Sequence, residues 1–387
     1  MQNQRSKFSL DEKAIYLNGA YMSPQLKSVE KAGFHALQRK NKPNRITGDH
    51  FFQESEDLRT AYASLINSSD PERIVIIPSV SYGMANVAAN IEMKTDENII
   101  VADEQFPSNV YPWMTLCDDS GAKLNIVKAP ETRVRRGKNW NNAILDAIDE
   151  KTRIVALGHI HWADGTLFDL HAIREKASSV GALLIIDGTQ SIGALPFDVD
   201  DIKPDALICA GYKWLMGPYS IGLAYYGPAF DGGKAVEQNW INRLNSEDFS
   251  GLVNYQHNYQ PGALRYEVGE HSNFNHVPML KTAIEQIAEW GIPSIQNYCK
   301  NISNNAITLL TKNGFYIEDE DSRSSHLFGI RLPEHLKMET VKNALNEANI
   351  FVSYRGDCIR VSPHVYNTES DMNKLASTLE SVLAHQS

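Results

Sequence analysis

The chain has 387 residues, of which 42% are hydrophobic and 22% charged, enough to build one large and one smaller domain around real cores. A formal net charge of −10 at pH 7 argues against the nucleic-acid phosphate backbone as a partner. No run approaches the roughly 20 apolar residues that span a bilayer, residues 1–14 lack the apolar centre of a secretion signal, and Cys117, Cys209, Cys299 and Cys358 form no C-x-x-C pair for zinc or an iron–sulfur cluster. The expectation is a cytoplasmic protein with reduced thiols, bound to neither membrane nor nucleic acid.

Residues 1–15 read as a polar arm, mobile or draped. Tyr16-Leu17-Asn18-Gly19-Ala20 is a short apolar segment ending in a loop. Ser23-Pro24 opens a helix that runs to about Arg39, with proline in its first turn. Residues 51–66 read as a long helix. The branched run 74–77 has the length and bounds of a buried strand. Ser79-Val80-Ser81-Tyr82-Gly83 then starts a helix that reaches about Ile91. Hydroxyls and main-chain N–H groups at a helix start bind anions, so this turn is a candidate phosphate cradle; a plain serine cap is the alternative.

Residues 98–101 form the next strand and lead into a polar loop, 103–109, that holds a single aromatic residue, Phe106. A planar side chain there can stack on a ring. A helix begins near Trp113, followed by a strand at 124–127, a helix at 139–148 and a strand at 153–157. That strand delivers GHIHWADGT. His159 and His161 share a face if the chain is extended, but no third partner makes them a metal site. His161 reads equally as a pocket-lining group and as a satisfied loop histidine. Residues 168–179 are the connecting helix.

The apolar runs 182–186 and 206–210 are short and branched enough to be buried strands. The first ends in Asp187 and the second is followed by Lys213. Open α/β sheets bind ligands at such strand ends. A lysine that holds an aldehyde as a Schiff base, and an acid that pairs with a ring nitrogen, are what pyridoxal phosphate needs. On pattern alone the two residues read as well as a solvated acid and a surface lysine. Residues 221–226 close the series as an antiparallel strand, because the link from Lys213 is too short for a crossover helix. The strand–helix alternation predicts a largely parallel sheet with helices on both faces.

Residues 274–298 read as a long helix linking two domains, broken or bent at Gly291-Ile292-Pro293. A helix at 300–311, strands at 315–317 and 326–330, a helix at 339–347, strands at 350–354 and 358–362 and a helix at 371–384 make a small α/β unit with an antiparallel sheet. Within SYRGDCIRVSPHVYNT, Arg360 projects from a strand, and Arg355 is a second candidate. A guanidinium pairs bidentately with a carboxylate, which suits an amino-acid or keto-acid substrate. Cys358, two residues before Arg360, reads as structural.

DGTQSIGALPFDV followed by GYKWLMGP resembles the core of the class V aminotransferases, pyridoxal-phosphate enzymes of fold type I that include cysteine desulfurases, kynureninases and isopenicillin-N epimerase-like proteins. The resemblance runs from about Tyr16 to the C-terminal helix. It implies an α/β fold: a three-layer large domain with a mostly parallel seven-stranded sheet over residues 26–272, an arm and substrate-side loop over 1–25, and a small α/β domain over 273–387. It implies pyridoxal 5'-phosphate as cofactor, with Ser81 and Tyr82 on the phosphate and Phe106 stacked on the ring. Trp162 would lie in the loop at the ring hydroxyl, Asp187 at the ring nitrogen and Gln190 on the hydroxyl. Tyr212 would add a phosphate contact, and Lys213 would carry the aldehyde and move protons. Asn18, His161, Arg360 and Arg355 would face the substrate. The sequence departs from the pattern at Tyr82, where relatives often have Thr, at Phe106, where desulfurases usually have His, and at Trp162, where many relatives have Asn. A homodimer with shared active sites is also implied, through the region of Arg265 and Gly269; the usual Thr after that glycine is Glu270, and His271 or Ser272 are its substitutes. Transamination is the expected reaction, with a lyase of the desulfurase, selenocysteine lyase or kynureninase kind, or an epimerase, as the alternative.

Overall fold

The computed structural model of the protein describes residues 1–386. In chain order its strands and helices are β1 (Ile15–Tyr16), α1 (Lys27–Arg39), α2 (Gln53–Leu65), β2 (Ile74–Ile77), α3 (Val80–Ala88), β3 (Asn98–Ala102), α4 (Tyr111–Ser120), β4 (Lys123–Val127), α5 (Arg136–Ala147), β5 (Thr152–Gly158), α6 (Leu170–Val180), β6 (Leu183–Asp187), α7 (Val199–Ile202), β7 (Ala206–Ala210) and β8 (Gly222–Tyr226). They continue with α8 (His276–Trp290), α9 (Ile292–Lys312), β9 (Phe328–Arg331), α10 (Met338–Glu347), β10 (Ile350–Phe351), β11 (Ser353–Arg355), β12 (Cys358–Val361) and α11 (Glu369–Gln386).

A seven-stranded sheet in the order β2-β8-β7-β6-β5-β3-β4 forms the centre. β8 runs antiparallel to both β2 and β7, and the other pairings are parallel. The inner strands are largely apolar because both faces are covered, and their side chains alternate between two cores, whereas the edge strand β4 carries Lys123 and Asn125 and is mostly exposed. Ile74, Ile76, Ile100, Val155, Leu157, Leu184, Ile186 and Leu207 point into one layer with α2, α5, α6 and α8. Val75, Ile77, Ile99, Val101, Ile154, Ala156, Ile185 and Ile208 point into the other with α3 and α4. A one-residue slip in any of these strands would exchange the two sets, so the register is strongly held.

The C-terminal unit has its own core, built from Ile302, Ala306 and Leu310 of α9, Val341 and Leu345 of α10, Leu375 and Leu379 of α11, and Phe328, Ile330, Ile359 and Val361 of a three-stranded antiparallel sheet ordered β11-β12-β9. The polar arm is draped: Phe8 is buried against Trp290 and Tyr366, and β1 pairs in parallel with β10.

Several boundaries differ from the sequence expectation. The helix expected from Pro24 starts at Lys27. Gly291 takes a left-handed φ of 76° and separates α8 from α9, and α9 then runs unbroken to Lys312, so the expected helix at 300–311 is its continuation. Residues 315–317 form no strand, only a bridge from Tyr316 to Arg331. The run 350–354 divides because its first half pairs with the distant β1 and its second half with β12.

Candidate active site

The parallel sheet brings Asp187 and Lys213 to one end. Asp187 closes β6 beside Gly158 of β5 and Ile208 of β7. Its Oδ1 accepts the Thr189 N–H at 2.9 Å, and Thr189 Oγ1 accepts the N–H of Ala210 at 3.2 Å, which ties the ends of β6 and β7 together. Burial pushes the Asp187 carboxyl up, against the opposing pull of Thr189 and of the Lys213 charge. Lys213 follows β7 through Gly211 and Tyr212 and is only 6% exposed. Burial lowers its ammonium to about 8, with the Arg360 charge helping and Asp187 opposing. The amine therefore gives up its proton far more readily than an ordinary lysine, which suits a nucleophile and proton carrier.

Lys213 Nζ sits 5.5 Å from the centre of the Phe106 ring and 5.7 Å from that of Tyr212. Phe106 meets Trp162 edge-on at 5.4 Å. At the far end, Ser79 caps α3 by accepting the Tyr82 N–H at 3.2 Å, and its hydroxyl lies 2.9 Å from that of Ser81. A helix start leaves its first N–H groups without helical acceptors, so Val80 and Ser81 offer donors where both residues line the cavity. This lobe, of about 250 Å³, is bounded by Ser79, Ser81, Phe106, Asp187, Gln190, Tyr212 and Lys213, among others.

A second lobe, of about 430 Å³, opens past Lys213 between Tyr21, Trp162, Tyr219, Arg355 and Arg360. Arg360 is 1% exposed. It donates Nη1 to the Trp162 carbonyl at 2.6 Å and Nη2 to Ser353 Oγ at 3.4 Å, while its buried Nε has no acceptor. Burial and the neighbouring Arg355 charge bring its guanidinium down to about 9.

Three of the expected residues do not join this cleft through their side chains. Asn18 accepts from Ser353 Oγ at 2.7 Å and brackets the small sheet, while Ala20, Tyr21 and Met22 of the same loop reach the cavity. Tyr82 turns its hydroxyl to Glu237 at 3.2 Å. His161 is buried against Trp140, with Nδ1 at 3.2 Å from Asp164 and Nε2 at 3.0 Å from the Asp103 carbonyl. His159 packs instead on Phe197. Trp162 lines the cleft with its ring, but its N–H is given to the Glu104 carbonyl at 2.6 Å. Gln190 is fixed at both ends, by the Ala20 carbonyl and by Trp214. His271 meets Ser55 and Glu267 inside its own chain.

Thr189 and Tyr219 are site residues that the sequence reading did not single out, and Ser79 was read only as part of the candidate phosphate turn. Thr189 has a local signal, since it stands between Asp187 and Gln190 in DGTQ. Ser79 carried the cap signal at the start of α3. Tyr219 lies in a loop without local pattern.

The donor set fits pyridoxal phosphate: a buried amine of lowered basicity, a buried carboxylate one strand away, an aromatic face beside the amine, and a hydroxyl-bearing helix start at the other end of the same cavity. The match to known proteins agrees. The family model described as aminotransferase class-V matches residues 16–375. A probable cysteine desulfurase of Methanothermobacter thermautotrophicus is 29% identical, with 84% of this chain and 83% of the relative covered. An uncharacterized aminotransferase of Bacillus subtilis, YcbU, is 24% identical, with 86% and 85% covered. The fold is that of the cysteine desulfurase CsdA from Escherichia coli, with a TM-score of 0.80 at 21% identity over 99% of this chain and 98% of the other. The chain therefore belongs to the class-V aminotransferase family, whose cofactor is pyridoxal phosphate.

Proposed function

We propose that the protein is an aminotransferase that moves the amino group between an amino acid and a keto acid. The observation that carries this reading is that Lys213 and Arg360 open onto one cavity, one able to move a proton and the other a buried cation without a carboxylate partner among the described residues. When bound, pyridoxal phosphate supplies an aldehyde and an electron sink for the electrons released at the substrate α-carbon. Ser79, Ser81 and the start of α3 would hold its phosphate, Phe106 its ring face, Asp187 its ring nitrogen and Gln190 its ring hydroxyl. Arg360 would fix the substrate α-carboxylate, turning the α-hydrogen toward Lys213. Lys213 Nζ would take that proton and return one, as the sole side-chain amine that lines the cleft among the described residues. The aromatic walls of Phe106, Trp162 and Tyr212 would limit water around the exchange.

The test is a panel of amino acids with pyruvate or 2-oxoglutarate, followed by product analysis. Transfer predicts a new amino acid and a new keto acid in equal amounts, and Lys213→Ala should abolish both. Pyruvate or alanine appearing from a sulfur amino acid with no amino acceptor would overturn the reading in favour of a second one.

That second reading is a carbon–sulfur lyase, favoured by the probable cysteine desulfurase at 29% identity. All four cysteines are buried and none lines the cleft, so the lyase would release sulfur without a protein thiol. A homodimer belongs to the same proposal. Phe34, Leu37, Trp240, Phe249, Val253 and Tyr255 are exposed, the last at 91%, which supports a second copy as their cover. Light scattering should give twice the 43.3 kDa chain mass. Division into an arm, a large domain and a small domain at 1–25, 26–272 and 273–387, and a reducing, cytoplasmic setting for the unpaired cysteines, complete the proposal.

A further inference from the structure

The hairpin β11–β12 places two arginines on one face. Ser353 is paired with Arg360, and Arg355 with Cys358. Residues two apart in a strand share a face, so Arg355 and Arg360 are diagonal neighbours, roughly 7–8 Å apart at the backbone. Two like charges so placed raise each other's cost unless an anion lies within reach of both.

Neither arginine has a carboxylate partner among the described residues. Arg355 donates Nη1 to its neighbour's carbonyl, Tyr354 O, at 2.7 Å, and its buried Nε, like that of Arg360, has no acceptor. Both guanidinium groups lie by the Trp162 ring, at 5.2 Å for Arg355 and 6.0 Å for Arg360. Both line the outer lobe with Lys213, and among the described residues no carboxylate lines that lobe. In a chain of net charge −10, a pocket with three cations and no acid is a strong local field for an anion. One anion is accounted for if Arg360 takes the α-carboxylate, and the second cation is left over.

We propose that the substrate is a dicarboxylic amino acid and that Arg355 binds its side-chain carboxylate, with Trp162 as the apolar platform under the connecting carbons. This rests on the reading of Arg360 as the α-carboxylate anchor. Arg355 is then the residue that sets specificity, since a monocarboxylic amino acid leaves its guanidinium unpaired in a half-buried site.

The test uses the cofactor-loaded protein and two probes that differ only in the second carboxylate, glutarate and butyrate, titrated by calorimetry. Wild type should bind glutarate about tenfold or more tighter, the scale of one charge-assisted pair. Arg355→Gln should erase that ratio by weakening glutarate alone. Equal weakening of both acids would mean that the two arginines clamp one carboxylate, and weakening of neither would make Arg355 structural; either overturns the proposal. A wild-type ratio near one overturns it without any variant, so the answer does not depend on the variant folding. Arg360→Gln separates the underlying reading: it should weaken both acids, and if it weakens neither, the α-carboxylate assignment fails whatever the Arg355 ratio shows.

Discussion

Trp214 donates its indole N–H to Oε1 of Gln190 at 2.9 Å, and Gln190 directs its Nε2 to the Ala20 carbonyl at 3.2 Å. The amide is braced from the turn that carries Lys213 and from the N-terminal loop. Trp214 is fully buried, edge-on to the His326 ring at 4.5 Å, so it packs and orients at once. Trp214→Phe keeps most of the ring but leaves a buried acceptor unpaired, at a cost of about 1–3 kcal/mol. Adding Gln190→Leu removes that orphan acceptor, so the double variant should be less destabilised than the sum of the singles. Urea unfolding of the four proteins measures the coupling, and additivity within about 0.5 kcal/mol would show that the bond does nothing.

The large sheet was legible because its strands are short runs, most of them apolar, and the neighbouring residues mark their ends. The centre of the site was legible for the same reason: strand ends fix where Asp187 and Lys213 emerge. What escaped was decided by distant partners. Nothing near Ile350 says that Ile15 will pair with it, and the halving of that strand follows from the pairing. His161 and Asn18 have the right chemistry for a cleft, but Asp164 and Ser353 claim their side chains. Trp162 has the right position, yet the Glu104 carbonyl takes its donor. A residue's type and spacing set what it can bond; only the packed structure decides which bond it makes.

Lys213 gives the cofactor-free protein a pH dependence of known sign. Its folded value, about 8, lies below the ordinary 10.5. Below pH 8 the amine is charged in both states, and the folded protein bears the full penalty, about 3 kcal/mol from that difference. Between 8 and 10.5 the unfolded chain binds more protons, so stability rises with pH and the penalty disappears. Lys213→Met should therefore be more stable than wild type at pH 7, by up to about 3 kcal/mol, less whatever Asp187 loses with its opposing charge. The gap should shrink toward pH 10. Unfolding midpoints that differ by a constant amount from pH 7 to 10 would exclude this account.

Asp164 holds the loop that presents Trp162. It accepts from Arg136 at 2.6 Å, Arg331 at 3.0 Å, His161 at 3.2 Å and both the N–H and hydroxyl of Thr166. Burial alone would raise its carboxyl, but His161 and the two arginines outweigh it and hold the group well below its ordinary 3.8. The contribution is therefore present above that value and lost as pH falls through the lower, folded one. Asp164→Asn takes the carboxylate partner from the buried Arg136, while Arg331 keeps Asp357, and should cost about 3–5 kcal/mol at pH 7. The difference from wild type should close in acid. An equal loss at pH 7 and below pH 3 would locate the cost in packing, not in charge.

The four thiols make a last prediction about chemistry. Cys358 is 1% exposed, and burial with the nearby Asp164 charge pushes its thiol up to about 12. Burial also raises Cys117, Cys209 and Cys299. A thiol acts as a nucleophile only as thiolate, so none of the four is armed in the native state. A disulfide reagent such as 5,5'-dithiobis(2-nitrobenzoate) should label the native protein slowly and label all four thiols once urea is added. Cys358→Ala opens a small cavity and should cost stability, while kcat/KM on the amino acid that proves to be the substrate stays within about threefold, since no thiolate takes part. A folded Cys358→Ala protein that lost a hundredfold or more in turnover, with its cofactor still bound, would show that this thiol takes part in the chemistry.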